Sequence, residues 1–217
     1  GDIEWFLRNK NTQEVVSAEG IIKGTKWEPF KFDKDNDYYA TSLDNVLAEG
    51  NIPPCNTPYE YFCAVEKLRK YIDSTITEDL ETIALPAARL DQKYLQTENA
   101  KVFGCDPSLN CWSNKTIHPK PSGDNVRSAG FHVHIGYEAP SVETNLLLGR
   151  ACDLFLGLPA VLLEPKNERK LVGYGLAGNI RHQPHGMEYR SLSTYFSDNQ
   201  KLIEWCFKNA QKAVDFV

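Results

Sequence analysis

Gly130–Tyr137, GFHVHIGY, alternates Phe131, Val133 and Ile135 with His132 and His134. Strict alternation over six to eight residues is the period of a β-strand, whose side chains point to opposite faces in turn. One face of this strand is apolar and the other carries two imidazoles. Three more segments repeat the pattern. Asp2 and Glu4 alternate with Ile3 and Trp5, Glu49 and Asn51 lie in the run Leu47–Ile52, and Glu188 and Arg190 alternate with Met187 and Tyr189. Residues i and i+2 of a strand project from one face about 6.6 Å apart. The four segments therefore predict a sheet with one face under helices and the other face collecting carboxylates, imidazoles and a guanidinium. An ordinary solvated sheet face is the plain alternative. Such a face is normally filled by Lys, Thr, Ser and Glu, and these segments are flanked instead by Gly1, Gly130, Gly136 and Gly186, which let a backbone or a ligand approach closely.

Around these strands the sequence predicts others at Ile3–Leu7, with Glu14–Val16 returning as its hairpin partner, and at Ile83–Leu90. Tyr38–Thr41 and Asn45–Ile52 pair around Leu43–Asp44. Thr57, Pro58 and Glu60 open a helix to about Asp73, with Phe62, Val65, Leu68 and Ile72 inward. Ser141 caps a helix over Val142–Leu156, and a last helix covers Asn199–Phe216 with Leu202, Trp205, Cys206 and Val214 inward. Residues 104–125, rich in Pro, Ser, Asn and Gly, read as a long ordered loop. Strands and helices do not alternate as βαβ units. The fold class is therefore α+β, a mainly antiparallel sheet with helices on one face, in a single domain over residues 1–217.

With 41% hydrophobic and 24% charged residues, the 217-residue chain has the composition of a globular protein. A net charge of −5 argues against broad nucleic-acid binding, which needs a basic face. No run of about 20 apolar residues stands out as a membrane span, and the start does not read as a signal peptide. Cys55, Cys63, Cys105, Cys111, Cys152 and Cys206 form no C-x-x-C pair. They are expected to be reduced, with Cys63, Cys152 and Cys206 buried on helix stripes, in a cytoplasmic protein. A zinc site from Cys105, Cys111 and His118 does not fit known spacings.

Several carboxylates with one or two imidazoles suit Mg²⁺ or Mn²⁺, which take oxygen ligands and keep positions open for phosphate. Arginine cannot ligate a metal. Among metal-bound carboxylates it can hold a phosphoryl group and its charge, and Arg181 and Arg190 bracket Glu188 in YGLAGNIRHQPHGMEYR, with Arg181 read as a loop residue. Gly20–Lys26, GIIKGTK, is not a P-loop. Any ATP must then be held through metals and arginines, with binding that depends little on Lys26.

GDIEWFL, GTKWEP, AEGNIPP, FGCDPSLNCW, RSAGFHVHIGY and YGLAGNIRHQPHGMEYR follow one another as in the phage-type carboxylate–amine ligases, or amidoligases, and the chain resembles that family over nearly its whole length. The resemblance implies a strongly curved antiparallel sheet like the catalytic domain of glutamine synthetase, with the active site in its concave face and helices outside. It implies that ATP phosphorylates a carboxylate and that an amine then displaces phosphate. Asp2, Glu4, Glu49, His132 and Glu188 would hold metal. His132, His134, Arg127 and Lys26 would contact the nucleotide, and Arg181, Arg190 and Glu49 would serve catalysis. The first pair is D-x-E where glutamine synthetase has E-x-E. Carboxylate and amine substrates could be a peptide, an amino acid, a polyamine or a modified nucleotide. A metal-dependent hydrolase or nuclease could use the same cluster, and a catalytically silent binding protein is the third reading.

Overall fold

The computed structural model of the chain describes residues 1–101, 108–117, 125–164, 169 and 173–217. Strand β1 (Asp2–Asn9) is its centre. Along Asp2–Trp5 it pairs antiparallel with β5 (Leu47–Asn51), and at Asp2–Ile3 with β11 (Phe131–Gly136). Its later residues pair with β6 (Leu80–Ile83) and with the two-residue β2 (Val15–Val16), the expected hairpin return. The sheet runs outward on one side through β4 (Ala40–Asp44) to β3 (Phe30–Lys31). On the other side it runs through β13 (Gly186–Tyr189), β12 (Asn179–Gln183), β8 (Ser108–Asn110) and β9 (Lys115–Ile117). All these pairings are antiparallel. The α+β antiparallel architecture is as the sequence predicts.

The two-residue period fixes which face is which. Ile3, Trp5 and Leu7 of β1, Phe131, Val133 and Ile135 of β11, and Met187 and Tyr189 of β13 share one core with α1 (Pro58–Thr75), α3 (Val142–Cys152) and α5 (Gln200–Phe216). Phe6, on the opposite phase, joins a second cluster with Val46, Leu47, Leu90, Leu95, Ala100 and Ala129. That cluster is closed by the one-turn helix Gln92–Leu95, by α2 (Glu98–Lys101) and by a two-stranded sheet of β7 (Ala87–Arg89) and β10 (Val126–Ser128). The polar face is thus walled at one end by its own small core.

The helix caps follow the sequence. The Thr57 hydroxyl accepts from Glu60 N–H, and the Glu60 carboxylate accepts from Asn56 N–H at 2.8 Å, one residue before the cap. Ser141 and Asn199 cap α3 and α5. The inward stripe of α5 is turned by about one residue from expectation. Ile203, Cys206, Ala210 and Ala213 are buried, while Val214 is exposed.

Several expectations are corrected. Ile83–Leu90 is not one strand: Pro86 divides it, and β6 pairs with β1 while β7 pairs with β10. The β4–β5 turn falls at Asn45–Val46, with Asn45 at φ 57°, so Asp44 ends β4 instead of lying in the turn. Residues 104–125 contain the β8–β9 hairpin; residues 102–107 and 118–124, including Cys105 and His118, lie outside the described residues. Cys55, Cys63, Cys111, Cys152 and Cys206 are free thiols, but Cys63 is exposed. Helix α3 continues through a π-helical segment, Asp153–Gly157, into α4 (Leu158–Leu163). Val142–Leu163 is then one helix of 22 residues, long and apolar enough by length and composition to cross a membrane, with 39% of its apolar window buried in the fold. In the sequence Arg150 and Asp153 divide this run. In the structure Asp153 is buried and accepts from the Tyr189 hydroxyl at 2.7 Å.

Gly50 of β5 has no room for a side chain, because a Cβ there would sit 2.5 Å from Leu68 of α1. Leu68 is fully buried at that crossing. Leu68→Ala is expected to cost about 2–5 kcal/mol, the range for truncating a core leucine. A urea unfolding midpoint equal to the parent's would show that α1 is not held there.

Candidate active site

Register, not sequence proximity, assembles the polar face. Asp2 lies opposite His132 on one side and Asn51 on the other. Two residues along β1, Glu4 lies opposite Glu49, which lies opposite Ser42. In the far half, His134, Glu188 and Arg181 form a row across β11, β13 and β12. Each row is the i+2 neighbour of another, so all these side chains share one face.

The distances divide the face into two groups. In the first, His132 Nδ1 is 2.8 Å from Asp2 Oδ1 and 3.5 Å from Glu188 Oε1. His134 Nε2 is 3.7 Å from Asp2 Oδ2 and 4.0 Å from Glu188 Oε2. The fully buried Glu188 accepts from Gln183 at 2.7 Å and Arg181 at 3.4 Å, and is paired with Arg190. In the second group Glu4, Asp44 and Glu49 bring carboxylate oxygens within 4.8 Å of one another. The Ser42 hydroxyl donates to Glu49 at 3.1 Å, and Gly130 N–H donates to Glu4. A shared cavity touches both groups and is bordered by Lys26, Arg181 and Arg190.

The two groups differ electrically. Burial and Asp2 push Glu188 upward, but Arg190, His132 and Arg181 outweigh them and leave its carboxyl below the usual range. Burial would likewise raise Asp2, and the two histidines hold it well below the ordinary value. Glu49 is pushed well above the usual range by burial and then by Asp44, Asp2 and Glu4. Asp44 is raised to about 6 by burial and then by Glu4. The first group is internally balanced, whereas in the second Asp44 and Glu49 have a raised affinity for protons.

Both groups fit a divalent ion. Asp2, His134 and Glu188 offer one ligand set, and Glu4, Asp44 and Glu49 an all-oxygen set. His134 Nε2, 3.7 Å from Asp2 Oδ2, is buried without a hydrogen bond to any described residue. Polar atoms left in that state cost stability, and a bound cation would relieve them.

Every residue singled out from the sequence lies on or beside this face, with different standing. Asp2, Glu4, Glu49, His132, His134, Glu188, Arg181, Arg190 and Lys26 converge. Arg181 is a strand residue of β12 and not a loop arginine. Arg127 borders the adjoining cavity, but its guanidinium donates to Asn45 Oδ1 and the carbonyls of Val126 and Ala100, tying the β4–β5 turn to α2. Two residues were missed. Asp44 was read as part of a turn, and one pairing step of register turns it onto the face. Arg169, buried and donating to the carbonyls of Ser191 and Leu192, borders the same cavity, and no strand pattern in its neighbourhood could have singled it out.

Two outcomes are expected. A carboxyl whose folded value is raised destabilises above that value, where it must ionise, and is neutral below about 4, where both states are protonated. Asp44→Asn should therefore stabilise the metal-free protein by about 1–3 kcal/mol at pH 8 and by nothing at pH 4. In saturating Mg²⁺ at pH 8 it should destabilise. Thermal midpoints across pH with and without Mg²⁺ check both signs, and destabilisation at pH 8 without metal would contradict the raised value. A Cβ at Gly130 would sit 2.5 Å from His132 Nε2, so Gly130→Ala must displace that ring. A weakening of Mn²⁺ binding by about tenfold or more in a folded protein, read by paramagnetic relaxation, is expected, and unchanged binding would exclude His132 from the ion's surroundings.

No curated protein and no solved structure gave a match to the chain. A family model described as Phage phiEco32-like COOH.NH2 ligase-type 2 matches residues 125–210, less than half of the chain. That stretch carries β10, β11, β12 and β13, and with them His132, His134, Arg181, Glu188 and Arg190. Over residues 125–210 this chain is similar to the carboxylate–amine ligases, as its motifs suggest.

Proposed function

We propose that the protein is an ATP-dependent carboxylate–amine ligase, working through an acyl phosphate on a glutamine synthetase-like sheet. The observation that carries the reading is the meeting of two carboxylate-bearing groups with Lys26, Arg181 and Arg190 around one cavity, in the chain whose residues 125–210 match the ligase family model. Reduced cysteines fit a cytoplasmic setting, where ATP is at hand.

Divalent ions held by Asp2, His134 and Glu188 and by Glu4, Asp44 and Glu49, with His132 beside both groups, would neutralise phosphate charge. The chain's own residues supply the rest. Arg190 is buried and fixed by its pair with Glu188, so its guanidinium meets the moving phosphoryl group without reorganising. Arg181, on the other side of Glu188, can follow the same charge. Lys26 also borders the cavity and can bind the phosphates that remain on ADP. The amine nitrogen attacks the acyl carbon, the bond to the phosphate oxygen breaks, and the amine's surplus proton must leave. Glu49, ionised once cations occupy the cavity that it lines, can take that proton.

Arg190→Lys keeps the charge and loses the planar fork. Turnover should fall by about a hundredfold or more while ATP affinity moves little. The assay is ADP release with hydroxylamine as the amine and a panel of carboxylates. Normal turnover in a folded Arg190→Lys protein would remove Arg190 from the reacting set. Calorimetry should show ATP binding with Mg²⁺ and none in chelator. Product formation from a phosphodiester or amide without ATP would favour the hydrolase reading instead.

A further inference from the structure

GTKWEP, Gly24–Pro29, enters the site so far only through Lys26. Thr25 and Glu28 exchange backbone hydrogen bonds of 3.0 and 3.2 Å, and Glu28 N–H also donates to the Thr25 hydroxyl at 3.1 Å. The tip between them is two residues, Lys26 and Trp27. The turn is pinned to β4 from behind. Leu43 N–H donates to the Gly24 carbonyl at 3.1 Å, and the Thr41 hydroxyl donates to the Lys23 carbonyl at 3.0 Å. Gly24 has φ 91°, and a Cβ there would lie 2.3 Å from the Thr41 carbonyl oxygen, so a glycine is what lets the turn sit this close to the strand. Lys26 and Trp27 are thus fixed relative to the strand that ends in Asp44.

The two tip residues have different surroundings. Lys26 borders the cavity between the carboxylate groups, and its charge works against the rise in proton affinity at Asp44. Trp27 is 82% exposed. Lys26 Nζ lies 6.0 Å from the centroid of its indole, which places the ring at the rim of the cavity. Tryptophan is buried on average, because its large apolar surface gains by leaving water. A pinned turn that holds an indole in solvent beside a cationic group presents a flat face to whatever enters the cavity.

We propose that Trp27 is the platform on which the base of the nucleotide stacks, with Lys26 beside the phosphates. The nucleotide itself rests on the ligase reading. In a nucleotide one sugar separates the phosphates from the base. A phosphate beside Lys26 therefore leaves the base within reach of a ring 6.0 Å from that ammonium. Stacking reads a π-face and not a hydrogen-bonding edge, which suits a turn whose Thr25 and Glu28 backbone groups bond each other. Bare polyphosphate, which has no base, gains nothing from the platform.

The probes are a non-hydrolysable ATP analogue and inorganic tripolyphosphate, each added with Mg²⁺ to the full chain and followed by calorimetry. Trp27→Ala should weaken the analogue about tenfold or more, the effect of removing one stacking ring, and leave tripolyphosphate unchanged. Trp27→Phe keeps a ring and should restore most of the affinity. The analogue should quench tryptophan emission of the parent, and most of that quench should vanish in Trp27→Phe although binding persists. Both variants should keep the parent's thermal midpoint, since the side chain is exposed. An unchanged analogue affinity in Trp27→Ala, an equal loss for tripolyphosphate, or an undiminished quench in Trp27→Phe overturns the proposal. Binding as described with no ADP release in hydroxylamine leaves the platform standing and removes the ligase reading. ADP release with analogue binding that Trp27→Ala does not alter does the reverse, and failure of the parent to bind the analogue removes both.

Discussion

Glu188 carries a carboxylate with no exposed surface, and the site is arranged around that fact. An unpaired charge so deep in a protein would be neutralised or would prevent folding. Arg190, Arg181, Gln183 and His132 surround it, and each comes from a position that register fixes. The two arginines are thereby held rigid, and rigidity is what a group needs if it is to stabilise a charge that exists only briefly. Breaking the arrangement by removing one partner would leave the others mispaired in a medium that screens poorly. The same contacts therefore maintain the fold and fix the two guanidinium groups.

The opposite half of the face works by withholding compensation. Glu4, Asp44 and Glu49 face one another, and burial and mutual repulsion raise the proton affinity of Asp44 and Glu49. Such a cluster is stabilised by whatever brings positive charge, and binding is linked to proton release. The asymmetry between a balanced group and a charge-hungry one gives the cavity a direction that neither group has alone.

How much of this was legible follows from periodicity. His132, His134, Asp2, Glu4, Glu188 and Arg190 could be placed on one face from sequence because each alternates with apolar residues over a full strand. Asp44 could not, because it stands at a strand end, where the location of a turn decides its facing and Asn45 with positive φ moved that turn. Arg181 was misread as a loop residue because Gly178 and Pro184 punctuate a strand of five residues. Arg169 carries no periodic signal and is placed by tertiary contacts alone. The helix expected over Val142–Leu156 runs on to Leu163, because a π-helical segment, Asp153–Gly157, carries it across Gly157 and Pro159.

The order of strands has a consequence for the chain as it is made. β1 lies between β5 and β11, and the contact of Gly130 with Glu4 spans 126 positions. The Trp5 indole bonds Ser197 across 192. The carboxylate-bearing face therefore cannot form on a nascent chain until the residues through Arg190 have been made, and an early β1 must wait with Ile3, Trp5 and Leu7 uncovered. High contact order of this kind slows the final closure. It leaves a growing chain dependent on whatever shields an unpaired apolar strand in the meantime.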